Sequence, residues 1–133
     1  MKKRILFLCT GNAARSQMAE GLARAFHGDE WEVVSAGSRP AGWVHPNAIR
    51  ALAEIGIDIS DARSKSADQF IDQPFDIVVT VCDSAALDCP AWPGAKRLEH
   101  WPIEDPTFGE GTSQDRFAKT RDELKSRIDD LLG

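Results

Sequence analysis

The run Cys9-Thr10-Gly11-Asn12-Ala13-Ala14-Arg15-Ser16 sets a thiol and a guanidinium either side of five short residues. These types at this spacing suit a tetrahedral oxyanion. Gly11 and Asn12 tolerate positive φ, so successive N–H groups can converge as an anion nest. Arg15 can grip two anion oxygens at once. A cysteine on the floor of such a loop meets N–H groups and a guanidinium that favour its thiolate. The chemistry implied is nucleophilic attack by Cys9 on an anion held by Thr10, Gly11, Asn12, Ala13, Ala14, Arg15 and Ser16. Two more thiols, Cys82 and Cys89, bracket a six-residue segment, and Pro90 follows.

These groups need elements to position them. The apolar run Ile5 to Leu8 predicts a buried strand ending at Cys9. Met18, Leu22 and Phe26, four residues apart, predict a helix from Arg15 to Phe26, with Gly28 as its stop. The orphan N–H groups and dipole of that helix then face the loop. Trp31 to Ala36 alternates as a second strand. Pro46 opens a helix whose apolar face is Ile49, Leu52 and Ile55, ended by Gly56. Ile57 to Ile59 reads as extended. A brief helix over Ser66 to Ile71 is capped by Ser66. Phe75 to Val81 is a third strand, apolar enough to be buried on both faces. Ala95 to Leu98 is a short fourth. Thr112 with Asp115 caps a final helix bearing Phe117, Leu124, Ile128 and Leu131 on one stripe. Alternating strands and helices predict an α/β fold: one domain over residues 1–133, with a four-stranded parallel sheet flanked by helices. Ligands in such sheets bind beyond the carboxyl ends of strands, where both Cys9 and Cys82 fall.

Cys82 and Cys89 admit three readings. They can be small buried hydrophobes. They can hold a metal with His100, but the spacing fits none of the usual short zinc patterns, and no metal is expected. They can be a redox pair serving Cys9. In that reading an anion bound to Cys9 accepts two electrons, Cys82 attacks Cys9 to form a disulfide, and Cys89 captures Cys82. Seven residues of intact helix span ~10.5 Å, whereas disulfide Cα atoms lie within ~7 Å, so any helix between positions 82 and 89 must unwind on oxidation.

On these residues the chain resembles the low-molecular-weight tyrosine phosphatases and the thioredoxin-coupled arsenate reductases that share their fold. Val81-Cys82 through Cys89-Pro90 is similar to the reductases, as are Cys9 to Glu20, Ser35-Ala36-Gly37, Ile57 to Ser60 and Glu99 to Pro106. The resemblance implies a loop that binds phosphate or arsenate, a serine (Ser16) hydrogen-bonded to the thiolate, and Asp105 of the Asp-Pro pair as general acid. It implies Cys9 as nucleophile, Cys82 as resolving thiol and Cys89 as exporting thiol, with thioredoxin reducing the final disulfide. Thiols reduce arsenate but not phosphate, which favours arsenate as substrate. The phosphatases commonly place tyrosines after the Asp-Pro pair. This chain has Thr107-Phe108 there and no tyrosine anywhere, which leaves room only for weak activity on aryl phosphates. Asn12, Glu20 and Ser35 match a potassium site seen in some reductases. Lys65 stands at its remaining carboxylate position, so an ammonium is expected in the cation's place and no potassium dependence follows.

Composition narrows the classes further. The 133 residues carry a net charge of −5 and only one short basic cluster, Lys2-Lys3-Arg4. Nucleic acid is therefore not an expected partner. No stretch approaches a membrane span, and the apolar run behind the basic start is too short for a signal peptide. Three cysteines without secretion signals suit a reducing cytoplasm. The chain reads as a monomer without cofactor. His27, His45 and His100 read as a helix-end charge, a loop residue before Pro46 and a packing neighbour of Trp101. Trp43 and Trp92 are expected to be partly exposed, with Trp92 beside a reductant. Asp122, Glu123, Asp129 and Asp130 read as a solvated helix face. Two other functions stay open: a phosphatase in which Cys82 and Cys89 protect Cys9, and a non-catalytic oxyanion or arsenite sensor.

Overall fold

The computed structural model describes residues 2–81, 92 and 94–133. Cys82, Cys89 and the unwinding expected of their segment lie outside the described residues. Four strands form one parallel sheet: β1 (Lys3–Cys9), β2 (Trp31–Gly37), β3 (Phe75–Thr80) and β4 (Ala95–His100), in the spatial order β2-β1-β3-β4. Among the described residues three helices accompany them: α1 (Arg15–His27), α2 (Pro46–Ala53) and α3 (Ser113–Leu132). A 3-10 turn spans Ala67–Gln69. None of the described helices is long and apolar enough to cross a membrane.

The two faces of β1 separate by the strand's period of two. Ile5, Phe7 and Cys9 join one core with Met18, Leu22, Leu52, Phe117, Leu124 and Ile128, so all three α-helices pack on that face. Leu6 and Leu8 join the opposite core with Ala36, Ala67, Phe75, Val78 and Trp92. Burial on both faces explains why the strand's sequence is continuously apolar. Strand β4 is an edge and reads differently. It is mostly exposed, with Leu98 at 58 %. It runs two residues past the expected end because Glu99 and His100 pair with Val79 and Thr80, and His100 Nδ1 lies 2.6 Å from Thr80 Oγ1.

The helix caps follow their sequence signals. Ser66 Oγ accepts from Asp68 N and Thr112 Oγ1 from Asp115 N. Several side chains depart from expectation. Helix α2 stops at Ala53, and Ile55 lies in the following turn, where it is exposed. Phe26 is half-exposed, with the Lys125 ammonium 4.6 Å from its ring centroid, while Met18 and Leu22 join the core together with Ala19 and Ala23. Trp92 is buried edge-on against Phe75, its indole N–H donating to Gln73 O, so it offers no surface to a reductant. Asp129 is not simply solvated: it bridges Lys125 and His27, tying α3 to the end of α1.

Candidate active site

The strand order reverses between β1 and β3, and the loop from Cys9 to Ser16 leaves the carboxyl end of β1 at that point, where open α/β sheets bind ligands. Partners outside the loop take up its carbonyls in turn. Cys9 O accepts from Ser38 N, Thr10 O from Arg39 N, Gly11 O from Ala41 N, Ala13 O from His45 N and Ala14 O from Met18 N. Asn12 O accepts from Gln17 Nε2. With the carbonyls drawn outward, the N–H edge of the loop turns inward. The turn itself falls on Asn12, at φ 49°, and not on Gly11, whose conformational freedom goes unused. Gly37, at the end of β2, lets the loop lie against the sheet: a Cβ there would stand 2.6 Å from Thr10 O.

Helix α1 starts at Arg15 without a side-chain cap, whereas His45 and Thr112 cap α2 and α3. Its first N–H groups and dipole are therefore available to an anion. Cys9, a free thiol only 5 % exposed, lies beneath them. Its Sγ is 2.8 Å from Ser16 Oγ and accepts from Asn12 N at 3.1 Å. The direction of the Ser16 bond follows from its neighbours. Asn12 Nδ2 donates to both Ser16 Oγ (2.8 Å) and Ser35 Oγ (2.9 Å), and Ser35 donates onward to Glu20 Oε1 (2.8 Å). The Ser16 oxygen is thus already accepting, and its own proton is directed to sulfur. Such a chain stabilises a thiolate, and each bond in it polarises the next. Asn12 is fixed as the hub because its Oδ1 accepts from Lys65 N and Gln17 Nε2.

The far end of the chain is Glu20, buried inside the protein. Besides Ser35 it meets Lys65 Nζ at 3.3 Å and Arg24 Nη2 at 3.4 Å, and Lys65 Nζ also donates to Arg63 O. The ammonium thus stands against Glu20, one of the three residues matched to a cation site in the sequence.

Arg15 and Asp105 lie near each other at the same cavity. Arg15 Nη1 donates to Ile103 O, and Nη2 is 4.0 Å from Asp105 Oδ2. Asp105 Oδ1 accepts from both Thr107 N and Thr107 Oγ1, which leaves Oδ2 as the oxygen nearer Arg15. A cavity of about 260 Å³ joins Cys9, Thr10, Arg15, Trp43, His45 and Asp105. Asn12 N and Ser16 Oγ touch the sulfur, Thr10, Gly11, Ala13, Ala14 and Arg15 line the cavity above it, and Asp105 is brought to that cavity from a distant loop.

Three residues take roles at this site that the sequence reading did not give them. Thr107 orients the Asp105 carboxylate; an Asp-Pro-Thr run that can close an Asx turn was the available signal. Gln17 braces Asn12. His45 caps α2 through Nδ1, which accepts from Asn47 N, and its ring lies between Trp43 (5.4 Å) and Phe117 (4.7 Å). Burial holds the His45 pKa below the ordinary histidine value, with the Asp105 charge pulling the other way. The signal was a histidine immediately before a helix-opening proline.

This frame is shared by known proteins. An arsenate reductase from Halalkalibacterium halodurans is 51 % identical over 130 residues, covering 96 % of this chain and 93 % of its own. A solved arsenate reductase in a phosphate-binding state superposes with a TM-score of 0.85 at 33 % identity, covering 98 % of this chain and 96 % of the other. The thioredoxin-dependent arsenate reductase of Corynebacterium glutamicum superposes with a TM-score of 0.76 at 35 % identity, covering 98 % of this chain and 60 % of that longer one. Residues 4–133 match the family described as low molecular weight phosphotyrosine protein phosphatase. An anion loop set between strand and helix, in a domain matched almost end to end, has one consistent placement: this chain belongs to the low molecular weight phosphotyrosine protein phosphatase family.

Proposed function

We propose that this protein is an arsenate reductase that passes electrons through three cysteines and is recycled by thioredoxin. The observation that carries the reading is the Cys9 sulfur, held by Ser16 Oγ and Asn12 N beneath an uncapped helix start. The 51 % identity to a named arsenate reductase supports arsenate over a phosphate ester.

Arsenate docks with its oxygens toward the loop N–H groups and the Arg15 guanidinium. The Cys9 thiolate attacks arsenic, and Asp105 gives a proton to the departing oxygen, which leaves as water. Cys82 then attacks the Cys9 sulfur. A Cys9–Cys82 disulfide forms while the electron pair of the arsenic–sulfur bond stays on arsenic, and arsenite leaves. Cys89 attacks Cys82, freeing Cys9 and forming a Cys82–Cys89 disulfide, which thioredoxin reduces. Support for Cys82 as the resolving thiol comes from the preceding residue: Val81 N donates to Leu8 O, bringing the chain beside the end of β1 one residue before Cys82. The reaction runs in a reducing compartment, the cytoplasm, and the protein acts there as a monomer without cofactor or nucleic acid.

The test is arsenate-dependent NADPH oxidation coupled through thioredoxin and thioredoxin reductase. Wild type should turn over and C82S should not. Fast aryl phosphate hydrolysis untouched by C82S, with no arsenate-dependent NADPH loss, would establish a phosphatase instead. Anion binding without consumption of reductant would establish a sensor.

A further inference from the structure

The loop that carries Asp105 is a wall between two hollows. The cavity holding Cys9 lies on one side, and a larger one, about 590 Å³, lies on the other, lined by Phe108, Glu110, Lys119 and Glu123 among others; Asp105 borders both. Pro106 is buried, but from Thr107 to Gly111 the loop is exposed, so side-chain packing does little to fix that stretch. Phe108, its largest apolar residue, is 75 % exposed. The loop needs another anchor.

Arg116 supplies it. The residue is the fourth of α3, in the first turn, where the helix dipole disfavours a cation. Its guanidinium reaches back out of the helix. Nε donates to Pro106 O (2.9 Å), Nη1 to Gly109 O (3.0 Å) and Gly111 O (2.6 Å), and Nη2 to Thr107 O (3.5 Å) and Ser113 Oγ (3.4 Å). A guanidinium has five N–H donors in a fixed fork, and all five are used. Four go to consecutive turns of the loop, beginning with the residue after Asp105. Gly109 and Gly111 adopt φ +121° and +82°, conformations that turn their carbonyls toward the fork at little cost to glycine. A Cβ on Gly109 would lie 3.2 Å from Arg116 Cδ, so the glycine also makes room for the side chain.

We propose that Arg116 is a positioning residue for proton transfer: it holds the loop from Pro106 to Gly111 so that Thr107 orients Asp105 toward the Cys9 cavity. This rests on the reading of Asp105 as general acid. Arg116 touches neither anion nor sulfur; it acts through Thr107 and the backbone.

The test is a double-mutant cycle on arsenate reduction by the full chain, coupled through thioredoxin, with R116A, D105N and R116A/D105N, together with inorganic phosphate as an inhibitor. R116A should lower kcat about 10-fold, part of the roughly 100- to 10,000-fold that a well-placed general acid contributes, while the phosphate inhibition constant changes less than 2-fold. In the D105N background the same substitution should change kcat less than 2-fold, because the group it positions is gone. R116A should also flatten the alkaline limb of the kcat–pH profile, as D105N does. A 10-fold loss that persists in the D105N background would overturn the inference, since Arg116 would then act elsewhere. If D105N alone leaves kcat and its pH profile unchanged, the general-acid reading fails first and the role of Arg116 falls with it. Should R116A fail to fold, R116Q keeps the stem and part of the fork and carries the same cycle.

Discussion

Replacing Lys65 by alanine removes an ammonium from the buried end of the chain that leads to the thiolate. The cost can be worked from the surroundings of Glu20. Its side chain is 7 % exposed, and it holds Ser35 Oγ at 2.8 Å, Lys65 Nζ at 3.3 Å and Arg24 Nη2 at 3.4 Å. Stripping one partner from a fully buried ion pair costs about 3–5 kcal/mol. Here Lys65 is 23 % exposed, and Arg24 and Ser35 remain, so about 1–2 kcal/mol is expected. For a domain of this size that lowers Tm by roughly 4–8 °C. The space vacated borders Glu20 and the Ser35 hydroxyl, oxygens suited to a monovalent cation. A potassium ion binding there with a Kd of about 10 mM would return roughly 1.4 kcal/mol at 100 mM. The assay is thermal unfolding and arsenate reduction in potassium chloride against choline chloride at equal ionic strength. Wild type should respond to neither salt in particular; K65A should be less stable in choline and recover in potassium. A wild-type protein that gains activity specifically with potassium, or a K65A protein as stable as wild type in choline, would refute the claim that Lys65 occupies the cation's place.

Other outcomes follow from the same geometry. Ser16→Ala removes one of two hydrogen bonds to the Cys9 sulfur; since a bond to a charged group contributes about 1.5–3 kcal/mol, alkylation of Cys9 by iodoacetamide at pH 7 should slow about 10-fold or more, and an unchanged rate would mean that Ser16 does not donate to sulfur. His45, followed by NMR, should titrate below its ordinary midpoint of 6.5. Because the Asp105 charge raises it, D105N should lower it further; a rise in D105N would contradict this placement. Since the folded pKa lies below the unfolded one, the contribution of His45 to stability is complete above pH 6.5 and is lost as pH falls through the folded value. Gly37→Ala sets a Cβ against the Thr10 carbonyl and should cost about 1–3 kcal/mol, with weaker phosphate inhibition; a variant of native stability and affinity would show that the loop has slack there.

Much of the fold is legible in the sequence because the sheet interior demands it. Strands β1 and β3 are buried on both faces, and only a continuous apolar run satisfies that. Strand β4 is harder to read: as an exposed edge it is chosen by backbone pairing with β3, so its last residues, Glu99 and His100, carry no hydrophobic signal. Trp92 shows the reverse failure, since a lone tryptophan in the run Pro90-Ala91-Trp92-Pro93-Gly94 gives no sign that Phe75 is its neighbour. At the site, Cys9, Arg15 and Ser16 are legible because strand, turn and helix are contiguous. The chain from Glu20 through Ser35 and Asn12 to Ser16 is less so. It joins β2, α1 and the loop, and matching those residues one by one does not reveal which atom donates to which. The Arg116 fork had no local signal at all, because a basic residue in a helix's first turn reads only as a mild misfit until the loop it holds is seen in space.

The electron path is tested most directly by mapping disulfides after one arsenate pulse, with thiols blocked by acid quench and peptides identified by mass spectrometry. Wild type should show a Cys82–Cys89 disulfide and free Cys9, C89S a trapped Cys9–Cys82 disulfide, and C9S no arsenate-dependent disulfide. Fully reduced cysteines after arsenite has been released, or a Cys82–Cys89 disulfide that forms with arsenate in C9S as readily as in wild type, would contradict it.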